Sequence, residues 1–296
     1  MNHRSILAFI ACLLFSTAFV NIKIGLEYIT PGWFAGIRFF LAGLIIVPFL
    51  PNKRTLLKEA LIHWKIIVIT AFFMTFLQYS LLYLGVNRVD GSIAAIFNGS
   101  SPVFVVIMAH FFMPNDQFSK RKFIISILGI AGIILITFQK LYISNIGLSY
   151  LIGILLLILV NISSSIANII VAKKSSLSNP IALSSLQLIL GGIMLLIYAF
   201  IVEPLPTTIY EPVFYYSLGW LIMVSAIAVS LWIYLLQQPG EKVSSLNIWK
   251  FVIPVFGATW NWLLIKNDKP DTYSVIGMTL ISVAIILNNT PKRNQR

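Results

Sequence analysis

One lysine stands in the middle of a long apolar run, where a charged side chain needs a specific partner. Lys250 lies within the run from Val243 to Ile265, and none of the nine Asp and Glu residues falls inside such a run. Runs of this length are typical of membrane spans, in which an unpaired lysine costs about 2.5 to 3.5 kcal/mol. The ammonium group would therefore face water, carbonyl oxygens or an anionic ligand. The alternative is that the side chain snorkels to the nearby membrane surface.

Two prolines lie near the middle of their runs and leave backbone carbonyls without a partner. Pro102 cannot bond the carbonyl of Asn98, and Pro254 cannot bond that of Lys250. Interrupted helices near the membrane midplane are where secondary transporters place ligands, because unpaired backbone is tolerated there only beside protein or a wet cavity. Asn98, Lys250 and the two prolines are thus candidate substrate-binding residues. The alternative is that the prolines only bend their helices for packing.

Other polar and aromatic residues recur at helical spacing and are candidates for the same site. Asn247, Lys250, Pro254, Ala258 and Asn261 share one helical face. The remaining candidates are Thr17 and Asn21 in the first run, Gln78, Tyr79 and Tyr83 in the third, Asn161, Ser165 and Asn168 in the sixth, Trp232 in the eighth and Trp249 in the ninth. The alternative role for such residues is to bond neighbouring helices, at about 0.6 kcal/mol each, or to pack in the core.

The composition places these residues in a membrane protein. Of the 296 residues, 58% are hydrophobic and only 10% are charged, against about 25% charged in soluble domains. A single cysteine, Cys12, excludes a disulfide framework and any cysteine-based zinc site, and three histidines leave little for metal chemistry. We therefore predict neither a cofactor nor a metal ion.

The chain divides into ten apolar runs, each long enough to cross the hydrocarbon core as a helix. They are Ile6 to Leu26, Trp33 to Leu50, Trp64 to Val86, Gly91 to Met113, Phe123 to Leu141, Leu148 to Ala172, Pro180 to Val202, Val213 to Gln237, Val243 to Ile265 and Thr272 to Leu287. The breaks between them carry turn residues such as Thr30-Pro31-Gly32 and Gln238-Pro239-Gly240. The predicted fold class is an all-α membrane protein with ten transmembrane helices.

The formal charge of +12 records orientation rather than a nucleic-acid partner. With the N-terminus inside, the short cytoplasmic loops and termini hold 14 of the 21 Lys and Arg residues, whereas the outer loops hold four. Because short loops rich in Lys and Arg remain cytoplasmic, both termini are predicted to face the cytoplasm of a cell (inner) membrane. Lys23 and Arg38 lie near outer helix ends, within snorkelling reach of the interface.

The two halves of the chain can be laid over each other. Pro31, Arg38 and Gly43 fall on Pro180, Gln187 and Gly192 at a constant spacing of 149 residues, and Pro102-Val103-Phe104 falls on Pro254-Val255-Phe256 at a spacing of 152. These matches predict two repeats, 1–141 and 148–289, of five helices each. Since five is odd, the second copy must enter the membrane from the opposite side, which gives an inverted repeat.

The sequence resembles the EamA family of the drug/metabolite transporter superfamily over nearly its whole length. The likeness rests on the stretch Gly36-Ile37-Arg38-Phe39-Phe40-Leu41-Ala42-Gly43, on Ser101-Pro102-Val103-Phe104 with its counterpart Ile253-Pro254-Val255-Phe256, and on the layout of five plus five helices. The resemblance implies two bundles around a central cavity with peripheral fifth and tenth helices. It also implies export of amino acids or related metabolites, and a structural role for Arg38.

These observations favour a secondary transporter that moves small metabolites by alternating access. The alternatives are an organophosphate or nucleotide-sugar carrier of the same superfamily, a membrane-embedded enzyme acting on lipids, and a channel. The sequence contains no H-E-x-x-H or G-x-S-x-G motif, no acid pair and no filter-like repeat. The absence of an Asp or Glu inside the spans favours facilitated diffusion or exchange over proton coupling. The predicted partners are a small-molecule substrate, membrane lipids and a second copy, since Gly32 and Gly36 permit close helix packing.

Overall fold

The computed structural model describes residues 3–50, 53–89, 91–138, 147–173, 179–206, 210–264 and 272–290, and these residues form helices and short connections without a β-strand. Ten helical segments follow the chain: α1 (His3–Ser16 and Ala18–Gly25), α2 (Pro31–Ile46 with the 3-10 turn Val47–Phe49), α3 (Trp64–Val86), α4 (Gly91–Gly99 and Ser101–Phe112), α5 (Lys120–Thr137), α6 (Leu148–Lys173), α7 (Pro180–Val202), α8 (Pro212–Leu236), α9 (Val243–Ile248, the 3-10 turn Trp249–Phe251 and Val252–Leu264) and α10 (Thr272–Asn289). A short helix, Lys53–Ile62, connects α2 to α3.

Among the described residues, eight helices are long and apolar enough to cross a membrane; α5 and α9 are not among them. The first turn of α5 carries three cations, Lys120, Arg121 and Lys122, and the first half of α9 is polar. The predicted ends of these two spans, Leu141 and Ile265, lie outside the described residues. The predicted fold class, an all-α membrane protein, is confirmed, and a ten-span arrangement is compatible with these helices.

Proline and capping residues set where several helices begin. Pro31, Pro180 and Pro212 each stand at the first position of their helix, where the missing N–H costs nothing. At the start of α7, the Asn179 side-chain oxygen accepts bonds from the backbone N–H groups of Ile181 and Ala182, at 3.0 and 3.2 Å. The breaks predicted from turn residues are therefore real helix boundaries.

Both helices with a central proline are interrupted just before it. The α4 helix breaks at Ser100, two residues before Pro102, and α9 tightens into the turn Trp249–Phe251 shortly before Pro254. Two interruptions were not predicted: α1 breaks at Thr17, and α3 contains a π-helix, Ala71–Leu77. In α1 the hydroxyls of Ser16 and Thr17 both donate to the carbonyl three residues earlier, at 2.7 Å, and such back-bonding bends helices.

The helices pack in matched pairs. α2 lies against α7, and α5 lies against α10; α1 contacts α8 as α6 contacts α3; α2 contacts α8 as α7 contacts α3; and α1 contacts α9 as α6 contacts α4. Each of these pairings maps onto itself or onto another of the same set when every helix is replaced by the one five places away in the chain. A central apolar core runs between α1, α2, α8 and α9, and a second cluster joins α5, α9 and α10.

The α2–α7 contact is made backbone to backbone through glycines. A Cβ atom added to Gly192 would come within 2.5 Å of the Phe40 nitrogen, and one added to Gly43 within 2.7 Å of the Ile189 nitrogen. These two contacts are counterparts at the spacing of 149 residues. The Ser185 hydroxyl adds a bond to the Gly43 carbonyl at 2.8 Å.

The two ends of the chain lie on one face of the bundle. The Ser5 hydroxyl lies 3.2 Å from the Asn289 side-chain oxygen, and Arg4 donates to the carbonyl of Pro239 in the α8–α9 connection at 3.1 Å. We call this end the terminal face. The opposite end, which carries the α1–α2 connection at Tyr28 and the end of α7 at Glu203, is the distal face.

Gly192→Ala is expected to destabilise the bundle because its new Cβ would meet the rigid backbone of α2. Overpacking of this kind costs about 1 to 3 kcal/mol, so the midpoint of thermal unfolding in detergent should fall by several degrees. Gly219→Ala in α8 is the matched control, since a Cβ at Gly219 meets nothing within 4 Å. Equal midpoints for the two variants would contradict a backbone contact between α2 and α7.

Candidate functional site

The Lys250 ammonium lies over the face of an aromatic ring inside the bundle. Its Nζ atom is 4.7 Å from the ring centroid of Trp232 on α8, a distance typical of a cation–π contact. Within the described part of the chain, Lys250 makes no ion pair and no side-chain hydrogen bond. A cation held mainly by a ring face keeps its N–H donors free for another acceptor.

Two buried amide side chains hold that ring in place. Trp232 donates from Nε1 to the Asn168 side-chain oxygen on α6 at 2.8 Å. The same oxygen lies 3.4 Å from the side-chain nitrogen of Asn247 on α9. Trp232, Asn168 and Asn247 are all at least 99% buried, and the Asn247 side-chain oxygen has no partner in the described structure. We call these residues together with Lys250 the Lys250 cluster; it joins α6, α8 and α9.

Side chains of α1 also pack against the Lys250 cluster. The buried Cys12 lies close enough to Lys250 to interact with it electrostatically. Phe15 meets Trp232 edge to face at 6.5 Å between ring centroids, and Phe9 meets Trp249 in the same way at 6.3 Å. The surroundings of the ammonium are therefore aromatic and uncharged, and a charged ligand there would be desolvated.

A polar pocket of about 210 Å³ lies between Trp249 and the terminal face. Ser5 and Asn289 line it, and Arg4 and Glu241 pair across it with a nitrogen–oxygen distance of 3.6 Å. Trp249, which precedes Lys250 in the chain, lines this pocket. The pocket therefore reaches from the terminal face to the residue next to Lys250.

A second cavity, of about 90 Å³, opens toward the distal face between α2, α3 and α7. Ser80 and Tyr83 line it, and both hydroxyls are buried without a partner among the described residues. At its rim, the Glu203 carboxylate accepts bonds from the Thr30 hydroxyl at 2.6 Å and from the backbone N–H of Gly32 at 2.9 Å. Glu203 thus ties the end of α7 to the start of α2.

The predicted polar residues of α6 and α4 differ in whether they have a hydrogen-bond partner. Asn161 donates to the carbonyl of Phe97 at 2.8 Å, directly before the break in α4. The Ser165 hydroxyl bonds the Asn161 carbonyl of its own helix at 2.7 Å. Asn98, near the same break, is half-buried and makes no side-chain hydrogen bond in the described structure, while Pro102 is buried beside it. Asn161 therefore supports the break, whereas Asn98 is free to bind.

The remaining predicted residues lie closer to the distal face. Thr17 accepts a bond from Trp220 at 3.0 Å, and Asn21 donates to the Thr17 carbonyl at 3.0 Å. Tyr79 and Tyr83 are neighbours, with ring centroids 6.5 Å apart. Gln78 is half-buried. The predicted set therefore divides between the Lys250 cluster and a more distal group.

Two residues of this interior were not predicted for the site. Arg38 lies within snorkelling reach of the outer interface by sequence, and the resemblance implies a structural role; the side chain is only 2% exposed and does not snorkel. Its Nε atom donates to the Ser225 hydroxyl of α8 at 2.7 Å, which holds the side chain inward. Cys12 was considered only as a lone cysteine, although Ser5, Phe9, Cys12 and Ser16 share a helical face that would have indicated an inward position.

The described residues contain no group of three or more His, Cys, Asp or Glu able to hold a metal ion. The side chains around Lys250 are amides, aromatic rings and one thiol, none of them an acid. Such a set can bind and orient an anionic ligand.

Comparison with known proteins identifies the family. The sequence profile of the EamA-like transporter family matches twice, at residues 4–138 and 151–290. The chain belongs to this family. Relatives of this EamA-like transporter include the uncharacterized transporter YoaV of Bacillus subtilis, 24% identical with 93% of each chain covered, and an uncharacterized transporter of Archaeoglobus fulgidus, 25% identical over the full length of both.

The fold is shared with proteins of very different sequence. A solved crystal structure superposes on 97% of this chain with a TM-score of 0.83 at 13% identity, and 96% of that chain is covered. A WAT1-related chloroplastic protein of Arabidopsis thaliana is 25% identical to this EamA-like transporter and covers 94% of it. These relatives place the chain among multi-pass membrane transporters.

The terminal-face pocket of this EamA-like transporter contains a carboxyl group whose protonation affects stability. Burial raises the pKa of Glu241 above its usual value, and Arg4 lowers it by less. A raised pKa in the folded protein contributes stability that is present at low pH and is lost as the pH rises through that pKa. The unfolding midpoint of the wild type, relative to that of Glu241→Gln, should therefore fall as the pH rises above the ordinary pKa of glutamate, about 4.3. If the midpoint of the wild type instead rises relative to that of Glu241→Gln as the pH increases, the Arg4 ion pair outweighs burial.

Proposed function

We propose that this protein is a carrier, not an enzyme, that moves small carboxylate-bearing metabolites such as amino acids or related organic compounds across the cell membrane by alternating access. The observation that carries the proposal is the Lys250 ammonium, held over Trp232 inside the bundle without an acidic partner in the described structure. An ammonium in a water-poor site needs an anion, because desolvating an unpaired charge is costly. A substrate carboxylate supplies that anion and leaves with the substrate.

The rest of the site supports a transported ligand. Aromatic rings and placed amides are typical of pockets for small molecules. Pockets on both sides, one reaching Trp249 and one reaching Tyr83, leave routes toward the interior from each face. With both chain ends in the cytoplasm, as the distribution of Lys and Arg favours, the terminal face is the cytoplasmic entry for an exporter working by facilitated diffusion or exchange.

An organophosphate is the second candidate substrate. Lys250 and Arg38 are two cations inside the bundle, and guanidinium groups bind phosphate as well as carboxylate. The single ammonium in the Lys250 cluster matches a carboxylate better than a doubly charged phosphate, so we place the organophosphate second.

Alternating access needs contacts at both faces that can be broken. At the terminal face, the buried Asp116 accepts bonds from the Ser244 N–H at 2.8 Å and from the Ser244 hydroxyl at 2.5 Å, and pairs with Lys122. This contact ties the α4–α5 connection to the start of α9. Glu203 makes the equivalent contact at the distal face, where it ties α7 to α2.

Lys250→Gln tests the binding role of the ammonium. The purified protein is reconstituted in liposomes, and uptake is measured for a panel of amino acids, 2-oxo acids and dicarboxylates, each paired with its neutral amide. The wild type should prefer the acids. The variant should lose roughly 10- to 100-fold of that preference, because it loses a hydrogen bond to a charged group.

Lys242→Gln is the matched control, since it removes the same charge from an exposed position just before α9. Occupancy can also be followed without transport, because substrate bound at Lys250 should slow maleimide labelling of Cys12, the only cysteine. If Lys250→Gln keeps the acid preference of the wild type, the ammonium does not bind the substrate.

Breaking the contact at one face should expose the interior to that face. The double variant Asp116→Asn with Lys122→Gln weakens the tie at the start of α9, because Asn keeps only one acceptor oxygen, and it leaves no buried unpaired charge. Labelling of Cys12 by a membrane-impermeant maleimide from the terminal side should rise by roughly 5- to 150-fold, the range of typical coupling free energies.

Glu203→Gln is the opposite case and should raise labelling of Cys12 from the distal side. Glu59→Gln is the control. It removes an acidic charge from the α2–α3 connection, where Glu59 contacts His63, and it leaves the Asp116 and Glu203 contacts in place. Labelling rates unchanged from both sides in both test variants would contradict alternating access through these contacts.

A further inference from the structure

Arg38 is a further cation inside the bundle, and the Lys250 cluster does not use it. Its side chain is 2% exposed. The guanidinium donates to Ser225 on α8 and lies 4.6 and 5.9 Å from the ring centroids of Phe39 and Tyr79. Its Nη1 atom is buried and has no partner in the described structure. The side chain is fixed on one side and has a free donor on the other.

Arg38 makes no ion pair with an acid in the described structure. The ion pairs found there are Arg4–Glu241, His63–Glu59 and Lys122–Asp116, all of which lie in connections or near helix ends. A buried guanidinium without a counter-ion is unfavourable. If a neutral side chain can make the contact between helices, that contact does not explain why an arginine stands at this position.

The other half of the chain makes that contact with neutral residues. Gln187 stands 149 residues after Arg38, and Thr75 stands 150 residues before Ser225. The Thr75 hydroxyl bonds the Gln187 side-chain oxygen at 2.7 Å, between α3 and α7. Arg38–Ser225 and Gln187–Thr75 therefore occupy equivalent positions in the two halves, although Arg38 donates to Ser225 whereas Gln187 accepts from Thr75. Because a neutral glutamine makes the helix contact in one copy, the contact by itself does not require the positive charge in the other.

Arg38 and Lys250 lie against the same face of one helix. Ser225, which binds Arg38, and Trp232, which binds Lys250, are seven residues apart on α8. Seven residues are two helical turns, or about 10 Å along the axis. The partners of the two cations therefore lie on one side of α8, two turns apart.

The distal cavity ends near Arg38. Tyr83 lines this cavity, has a buried hydroxyl without a described partner, and is close enough to Arg38 to interact with it electrostatically. The sequence of groups from the distal face is therefore Tyr83, Arg38, Lys250 and Trp249, with the terminal-face pocket beyond.

We propose that Arg38 is a second anion-binding residue, which receives the substrate carboxylate between the Lys250 cluster and the distal face. This inference rests on the proposed carrier function and adds a second position to the same route. A guanidinium fits the role because its planar fork can bind both carboxylate oxygens at once. Arg38 and Lys250 are thus specificity residues for the distal and terminal halves of the route.

The test variant is Arg38→Gln, which places in α2 the residue that α7 already uses. Uptake of the same panel of acids and amides is measured in liposomes with substrate supplied from either side. From the distal side, KM for the acids should rise by roughly 10- to 100-fold, the size expected from losing a hydrogen bond to a charged group. KM for the amides should stay unchanged, and KM from the terminal side should change less. Lys250→Gln should show the reverse sidedness.

Arg38→Lys keeps the charge but loses the fork, so it should give an intermediate KM. Ser225→Ala removes the hydroxyl that accepts the bond from Arg38 Nε, so it tests how much the fixed position of the guanidinium contributes. KM for the acids should rise less in Ser225→Ala than in Arg38→Gln. The unfolding midpoint of Arg38→Gln should equal or exceed that of the wild type, because an unbalanced buried charge is removed.

The outcomes separate the two proposals. If Lys250→Gln loses the acid preference while Arg38→Gln keeps wild-type KM values from both sides, Arg38 is not a binding residue and the carrier proposal stands. A large fall in the unfolding midpoint of Arg38→Gln, with KM values unchanged in Arg38→Lys and Ser225→Ala, would make Arg38 structural. If neither variant alters acid preference, the proposed function fails as well.

Discussion

Where α2 crosses α7, glycines bring the two backbones into contact, and the arrangement of the interior depends on that crossing. Gly43 and Gly192 leave room for the Ile189 and Phe40 backbone. Because the helices meet so closely, Arg38 reaches outward from one side to α8 and Gln187 from the other side to α3. A bulkier crossing would separate the helices and move both side chains away from their serine and threonine partners.

The electrostatics of the bundle follow a simple division. Acids lie in the connections and at helix ends, where they bond helix starts, as Asp116 does at Ser244 and Glu203 at Gly32. This is the favourable place for a carboxylate, since the first N–H groups of a helix lack internal partners. Lys250 and Arg38 have no such neighbours in the described interior. Helix starts therefore account for the buried acids, whereas the interior cations remain available for a ligand.

Sequence reasoning identified what depends on one helix at a time. The apolar runs, the breaks before Pro102 and Pro254, and the unusual position of Lys250 all follow from local composition and from the missing proline N–H. Contacts between helices could not be predicted from the sequence alone. The rotation of α8 decides that Trp232 lies under Lys250, and hydropathy alone does not show that Asp116 and Lys122 are buried together. Arg38 was misplaced for the same reason, because depth in a span does not tell which way a side chain turns.

Unbalanced cations inside a membrane protein also respond to voltage. Each elementary charge that crosses the full membrane field changes free energy by about 2.3 kcal/mol per 100 mV. If helices carrying Lys250 and Arg38 shift relative to the field during the cycle, the empty protein moves positive charge, while a bound carboxylate cancels one unit of it. Membrane potential would then act mainly on the return of the unloaded protein. The direction of net transport in the cell would follow from that electrical bias as well as from the substrate gradient.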